Sequence, residues 1–358
     1  MASRFLRGPV RHVIERQPPY RRVCHYPEPS ERCHYCERIC TLPSPPHISV
    51  IIPTRNRPED VRRCLDSLTA VRYSSWDVLL VDQSDDDQFE QTERVVMDFA
   101  QTLQHMQHHR MSERGPARAR NVGVEETTGN IKAFLDDDCT VQGDWLEQVA
   151  AAFARYPQAA LVIGKVECAP YDPQEVLVPA YPIKKEHVIH GNLAFVRPDG
   201  AGAAMYMRRA VPGRVGLLDV RLGPGSPYFN GGEDNDFIYR CLVSGYSIVR
   251  APSIIVTHYG AKLYNDGSAS RLLLNNAYCA AAVDMKLLRC GYPVAFLVMA
   301  SHILYFLVRF NARDVIARRT PSSLHLLTMY TRGLIASYRF GINRQRMLFT
   351  ERHTAAAR

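Results

Sequence analysis

The chain lacks an apolar run long enough to cross a bilayer. Its longest, Val294 to Val308, stops at 15 residues, where a spanning helix needs about 20. That excludes a multi-span membrane domain from this sequence. No apolar leader segment follows Arg4, Arg7, Arg11 and Arg16, so the expectation is a cytoplasmic chain. Ten cysteines in that compartment are thiols or metal ligands, not disulfides. No glycine stands between Pro53 and Pro58. The loop Pro53-Thr54-Arg55-Asn56-Arg57 is therefore neither a P-loop nor a dinucleotide fingerprint. Internal repeats are absent as well.

What remains is a globular composition. Apolar residues make up 46% of the 358 positions and charged residues 22%, enough for a sizeable core and too apolar for a disordered chain. The net charge is +8, and Arg309 to Arg358 alone holds ten arginines against Asp314 and Glu351. The body is near neutral, so no nucleic-acid partner is expected. The basic tail suits an anionic membrane surface or nucleic acid, or is simply solvated. A peripheral place at the inner face of the cell membrane is the corresponding expectation. At the other end, Cys33 and Cys36 have zinc-knuckle spacing, with Cys24 and Cys40 nearby. A four-cysteine Zn²⁺ site is one reading of them. The irregular spacing and missing second knuckle favour plain thiols.

Three regions follow from the pattern. Residues 1–46 form an Arg-, Cys- and Pro-rich appendage. From 47 to 265, strands alternate with helices. His47 to Pro53 reads as a buried strand. Arg57 to Ala70 reads as a helix with Pro58 in its first turn and Val61, Cys64, Leu65 and Leu68 on one face. Strands are expected at Trp76–Val81, Ile131–Leu135 and Ala160–Val166. Helices are expected at 89–101, 116–126 and 145–156. Alternation of this kind implies an α/β fold with a mostly parallel sheet covered on both faces. Ligands then sit at the carboxyl ends of the strands, where Pro53, Asp82 and Asp136 should converge. Residues 170–199 read as a long loop. Ser247–Val249 and Ile254–Thr257 read as short strands. Residues 266–358 are helical and basic, and Val294–Val308 suits either a buried packing helix or one lying on a membrane.

The chemistry concentrates in Phe134-Leu135-Asp136-Asp137-Asp138. An apolar strand delivers three consecutive carboxylates to one point, and these repel one another unless a counter-charge is present. A hard cation such as Mg²⁺ or Mn²⁺, shared with substrate phosphates, supplies it. Alone, such a triplet is more often a solvated turn. A second acidic cluster, Glu233-Asp234, follows the flexible segment Leu222 to Gly232 and opens a helix. Helix capping would explain one of those acids. The other is then available to take a proton, and Asp234 is the candidate base, with Asp236 capping or supporting it. Asp82 can accept a hydrogen bond from a base N–H or a ribose hydroxyl. Arg120 can face a base or a phosphate. His258 is either a third metal ligand or a core histidine. The segment Leu222 to Gly232 is expected to close over the bound nucleotide.

The ordered set VIIPTRNRPEDVRRCLDSL, LLVDQSDDD, GPARARNVG, FLDDDC, GEDNDFIYRCLVSGY and VTH, spread over residues 47–260, resembles family 2 of the glycosyltransferases. The resemblance implies a GT-A fold, a Rossmann-like nucleotide-binding sheet with a helical C-terminal extension here. It implies inverting transfer of a sugar from a nucleotide-diphosphate donor to a glycan or lipid-linked acceptor. Donor contacts are implied at Pro53, Arg55, Asp82, Arg120, Asp136 and Asp137. Metal binding is implied at Asp138 with Asp136 or Asp137, and base catalysis at Asp234, with Glu233 beside it. No QxxRW-like motif follows the acid pair, so the expected type is non-processive. Two other functions fit parts of the pattern. A sugar-phosphate nucleotidyltransferase shares the sheet and the acids but needs a Gly-rich loop that Pro53–Pro58 lacks. A non-catalytic nucleotide-sugar-binding module would not need the acid motifs.

Overall fold

The computed structural model describes residues 45–103, 105–190, 200–308 and 322–352. The described residues belong to the second of two units, Pro45–Arg358. Cys24, Cys33, Cys36 and Cys40 lie outside the described residues, as does the arginine-rich stretch 309–321.

In the second unit the chain runs β1 (Ile48–Thr54), α1 (Pro58–Leu68), β2 (Trp76–Asp82), α2 (Asp86–Phe99), β3 (Met106–Arg110), α3 (Pro116–Glu126) and β4 (Ile131–Phe134). Then come β5 (Cys139–Val141), α4 (Trp145–Arg155), β6 (Ala159–Cys168), β7 (Val176–Leu177), β8 (His187–Ile189) and β9 (Met205–Arg208). A 3₁₀ turn, Gly202–Ala204, leads into β9. The short α5 (Val211–Val215) and α6 (Glu233–Val243) precede β10 (Ser247–His258) and β11 (Lys262–Leu263). The C-terminal part is α7 (Ser268–Arg289), α8 (Val294–Val308), α9 (Ser322–Ser337) and the hairpin β12 (Phe340–Asn343) and β13 (Leu348–Glu351).

Nine strands form one sheet in the order β3-β2-β1-β4-β9-β6-β10-β5, with β8 also on β10. Six of them, β1, β2, β3, β4, β6 and β10, point the same way. Only β9, β5 and β8 run against them. This is the mostly parallel sheet that the alternation implies. Every residue of β1 is buried, as a strand covered on both faces must be. Ile48, Val50 and Ile52 enter one core cluster and Ile51 the other. Helix α3 lies close on β1 because Gly123 has no side chain; a Cβ there would stand 2.3 Å from Ile51 Cγ2. Helix α1 starts at Pro58 and buries the four residues its spacing selects, Val61, Cys64, Leu65 and Leu68.

Four parts depart from the sequence reading, the first being the C-terminal region, expected to be helical, which ends in the hairpin β12–β13. β3 (MQHHR) is a sheet-edge strand with no buried residue, so no apolar run marks it. β10 is one 12-residue strand rather than two short ones. Its register on β6 shifts between Ala251 and Ile255, around Pro252, which has no N–H for the ladder. The segment expected to be loop contains β7 and β8, and Tyr181 pairs with Val166.

Helices α7 and α9 pack tightly because Gly333 faces the Tyr278 carbonyl, where a Cβ would stand only 2.1 Å away. Helix α8 divides its apolar side chains. Ala295, Val298 and Phe306 are buried, while Phe296 is 63% and Leu304 61% exposed. Among the described residues no helix is long and apolar enough to cross a membrane.

Candidate active site

A cleft of about 1030 Å³ opens where β1 and β4 end. It is lined by Pro53, Arg55, Arg57, the three acids Asp136–Asp138, Arg120, Glu233, Asp234 and His258, among others. The parallel strands bring Thr54 and Asp82 level, and β4 pairs with β1 on the other side. Segments distant in sequence thus meet at one edge.

The three acids after β4 face three different partners. Asp136 Oδ1 accepts a hydrogen bond from Arg120 Nη2 at 2.5 Å. Asp137 turns inward and accepts from Thr54 Oγ1 at 2.8 Å and from Arg57 Nη1 at 3.2 Å. Burial pushes its carboxyl up to about 7, against the opposing pull of Arg57. Asp138 accepts from Arg57 Nη1 at 3.1 Å and stands 3.3 Å from His258 Nε2. Burial works against its ionisation, but the contact with His258 and the Arg57 charge prevail and hold it below the ordinary carboxylate range. In return His258 is raised: burial opposes its charge and Asp138 outweighs burial.

Arg120 joins the two acidic clusters. It is 3% exposed, on α3, and its Nη1 donates to Glu233 Oε1 at 3.1 Å while Nη2 holds Asp136. Burial pushes Glu233 up to about 7, and the adjacent Asp234 adds to the rise. Asp234 is raised too, first by burial. Its Oδ2 accepts from Gly202 N–H at 3.3 Å and its Oδ1 from Asn235 N–H at 2.8 Å. Gly202 is needed for this packing, since a Cβ would lie 2.8 Å from both Nη atoms of Arg120. Gly202→Ala is expected to destabilise the fold by about 1–3 kcal/mol, as overpacking does. Thermal unfolding would read this, and an unchanged melting temperature would contradict the pinned guanidinium.

The other sequence candidates divide. Pro53 and Arg55 line the cleft. Arg55 Nη2 lies 4.0 Å from Asp85 Oδ2. Asp82 is fully buried, accepts from Ser84 N–H at 2.8 Å and lies 3.2 Å from His108 Nε2. The cleft wall at that strand end is Gln83. Asp236 leaves the cleft for the core, where it pairs with Arg240 and Lys286. The segment Leu222–Gly232 borders the cleft at Pro224, Gly225, Asn230, Gly231 and Gly232, but Phe229 is packed among Tyr278, Phe340 and Phe349. The sequence reading did not single out Arg57, Thr54 or Gly202 for the site. An arginine before a helix carries no pattern that tells an acid partner from solvent.

Among the described residues, one group of side chains could hold a metal ion. Ligand atoms of Asp138, Cys139 and His258 lie within 4.8 Å of one another. Burial and the neighbouring acids push the Cys139 thiol well above its ordinary value, and a soft sulfur ligand does not suit a hard cation. Asp138 and His258 remain, with Asp136 at the cleft surface beside them. Gly260 leaves room at that point, because a Cβ would lie 2.7 Å from both Asp138 Oδ2 and His258 Nε2. A carboxylate and an imidazole 3.3 Å apart are spaced as two ligands of one ion are, and they fit a divalent cation that also takes substrate oxygens.

Residues 49–212 match the model of glycosyl transferase family 2. The chain carries a family 2 glycosyltransferase domain. Two curated relatives extend the match. Glycosyltransferase AglE of Haloferax volcanii is 26% identical over 234 residues, 60% of this chain and 67% of its own. The pre-mycofactocin glycosyltransferase of Mycobacterium tuberculosis is 25% identical over 324 residues, 82% of this chain. The alignment spans 63% of that relative's length. The mannosyltransferase PcManGT from Pyrobaculum calidifontis, solved with GDP-Man and Mn²⁺, superposes with a TM-score of 0.53 at 17% identity. That superposition covers 85% of this chain and 91% of the other. The fold of the family 2 domain is GT-A.

Proposed function

We propose that this glycosyltransferase is a metal-dependent, inverting enzyme that moves a sugar from a nucleotide-diphosphate donor to an acceptor hydroxyl. The observation that carries this is the Asp136–Arg120–Glu233 link, which sets the Asp136–Asp138 turn and Asp234 on one cleft. The nucleotide would lie over Pro53, Arg55 and Gln83, with Asp82 supporting that wall from behind. Asp138 and His258, with Asp136, would hold Mg²⁺ or Mn²⁺. The ion supplies charge stabilisation for the departing diphosphate. Arg57 is already poised as a cation beside Asp137 and Asp138. Asp234 takes the proton from the attacking hydroxyl, and inversion follows if that hydroxyl approaches opposite the diphosphate. Glu233 acts through Arg120, holding it against Asp136. The GDP-Man and Mn²⁺ of the Pyrobaculum enzyme support the donor and metal classes.

The acceptor is a glycan or a lipid-linked intermediate, met at an anionic membrane surface. The exposed Phe296, Leu297 and Leu304 of α8, and Arg332 and Arg339 at α9 and just beyond it, support a peripheral helix face of that kind. In this reading residues 47–265 hold the chemistry and 266–358 the contact with the acceptor phase.

The test is thermal shift with UDP, GDP, dTDP and CMP, each with and without Mn²⁺, on the wild type and Asp138→Ala. A ligand that binds only the folded state raises the melting temperature by mass action. Saturation at about 100 times Kd adds roughly 2.7 kcal/mol of stability. We expect one diphosphate to raise the melting temperature in a Mn²⁺-dependent way, and Asp138→Ala to remove that dependence. No rise with any nucleotide would overturn the donor site.

A further inference from the structure

Among the described residues four lysines and arginines line the cleft: Arg55, Arg57, Arg120 and Lys262. Three of them already face carboxylates. Arg120 is held between Asp136 and Glu233, and Arg57 between Asp137 and Asp138. Arg55 stands 4.0 Å from Asp85 Oδ2, beside the wall proposed for the nucleoside. Lys262 differs. Among the described residues no carboxylate pairs with its ammonium group and no acceptor holds it. Its charge still reaches the acids. Burial opposes the ionisation of Asp138, and Lys262 is one of the cations, after His258 and Arg57, that outweigh it.

The backbone that carries Lys262 is tied down on both sides. β10 ends at His258, and the next N–H, of Tyr259, donates to the Asp138 carbonyl at 2.9 Å. Just beyond, β11 pairs with β7, with Lys262 opposite Leu177 and Leu263 opposite Val176. Tyr264 N–H then closes this strap on the Glu175 carbonyl at 3.0 Å. Neighbouring side chains of a strand point to opposite faces, so Lys262 lines the cleft while Leu263 is 42% exposed on the other side. The strap that carries His258 to Asp138 thus also carries a lysine into the cleft.

A cation without an acid, next to an acid cluster already balanced by arginines, suits an incoming anion. The lysine ammonium is a compact point charge with three donors, which phosphate oxygens match. We propose that Lys262 binds the β-phosphate of the donor and stabilises the charge that develops there as the sugar departs. In that step the bond from the anomeric carbon to the β-phosphate oxygen breaks, and its electron pair stays on the diphosphate. The acceptor oxygen bonds the same carbon, and its proton goes to Asp234. Arg57 and Arg120 meet the growing negative charge already shared with carboxylates, whereas Lys262 meets it uncommitted. This rests on the transferase reading above and assigns a residue to its leaving-group side.

The experiment is calorimetric titration of the full chain, with Mn²⁺ present, against UDP and UMP, GDP and GMP, dTDP and dTMP. The nucleoside whose diphosphate binds defines the pair to compare. Lys262→Met should bind that diphosphate about tenfold more weakly than the wild type, the worth of a hydrogen bond between charged groups. Its affinity for the matching monophosphate should not change. Lys262→Arg, which keeps the charge, should retain most of the diphosphate affinity. Because Lys262 is held through its backbone, the melting temperature of free Lys262→Met should stay that of the wild type. Equal loss for diphosphate and monophosphate would make Lys262 a support of the strap, and no loss for either would put the β-phosphate elsewhere. Each of these results overturns the assignment. If the wild type binds none of the diphosphates, the donor site itself falls and this role falls with it.

Discussion

Asp234→Asn is expected to lower turnover by about 10²–10⁴-fold, the range a positioned general base contributes. Nucleotide-induced stabilisation should change little, because Asp234 makes no contact with Asp136–Asp138. It accepts hydrogen bonds from the backbone N–H groups of Gly202, at Oδ2, and Asn235, at Oδ1, and both need an acceptor oxygen. Asparagine keeps one such oxygen and loses the base. The side-chain shape is nearly unchanged, so the main loss is the proton acceptor, with a smaller cost at Gly202 if its N–H, the longer of the two bonds at 3.3 Å, is the one left facing the amide NH2. The pH profile gives a second readout. Burial raises the Asp234 carboxyl above its ordinary value, and only the ionised form accepts a proton. Wild-type turnover should therefore rise with pH through a pKa above the usual carboxylate range and fall on the acid side. The variant's residual rate should lack that limb. Full turnover in Asp234→Asn would remove the base assignment and leave the acid pair as an anchor for Arg120.

Much of this site was legible in the sequence, and the rest was hidden for physical reasons. The three acids stand out because an apolar strand precedes them, and β4 does deliver them to the carboxyl end of the parallel strands. Glu233-Asp234 stands out because a Gly- and Pro-rich segment opens directly into a helix. In both cases the signal is local. Arg57 was not legible as a site residue, because nothing near it in sequence foretells that its guanidinium reaches Asp137 and Asp138 across the first turn of α1. The surroundings of Asp82 were equally hidden. They depend on His108 of β3, an edge strand without an apolar pattern. Gly202 follows an unreadable segment, and its importance lies wholly in the distance to Arg120. Short-range periodicity specifies elements. Which polar side chains meet between elements is a tertiary fact.

Lys286→Met should have the largest effect on stability, although Lys286 lies outside the cleft. Its Nζ lies 2.8 Å from Asp219 Oδ2 and 2.5 Å from Asp236 Oδ1, with all three side chains at most 2% exposed. Arg240 completes the set through Asp236 Oδ2 at 2.9 Å. Two acids and two bases thus balance inside the core. Removing one base leaves a buried carboxylate uncompensated, which typically costs about 3–5 kcal/mol. The melting temperature should fall on the order of 5–10 °C for a domain of this size. The Asp219→Asn, Lys286→Met double variant should recover part of that loss, since it removes one charge of each sign. The cluster also governs acid stability. Burial opposes the Asp219 charge, but Lys286 and the N–H groups of Phe349 and Arg221 hold its carboxyl below the ordinary value. A folded pKa below the unfolded one gives stability that is present above the unfolded pKa and lost as pH falls through the folded one. The wild type should therefore lose stability in acid more steeply than the double variant. Asp236 lies two residues from Asp234 on α6, and Phe349 on β13 donates its N–H to Asp219 Oδ2 at 2.8 Å. The same charges thus tie the helix bearing the proposed base to α7 and to the C-terminal hairpin. Loss of the cluster should loosen the proposed base before it unfolds the sheet, seen as faster amide exchange in α6 than in β1 of Lys286→Met. Equal protection of both elements would mean that the cluster supports stability alone.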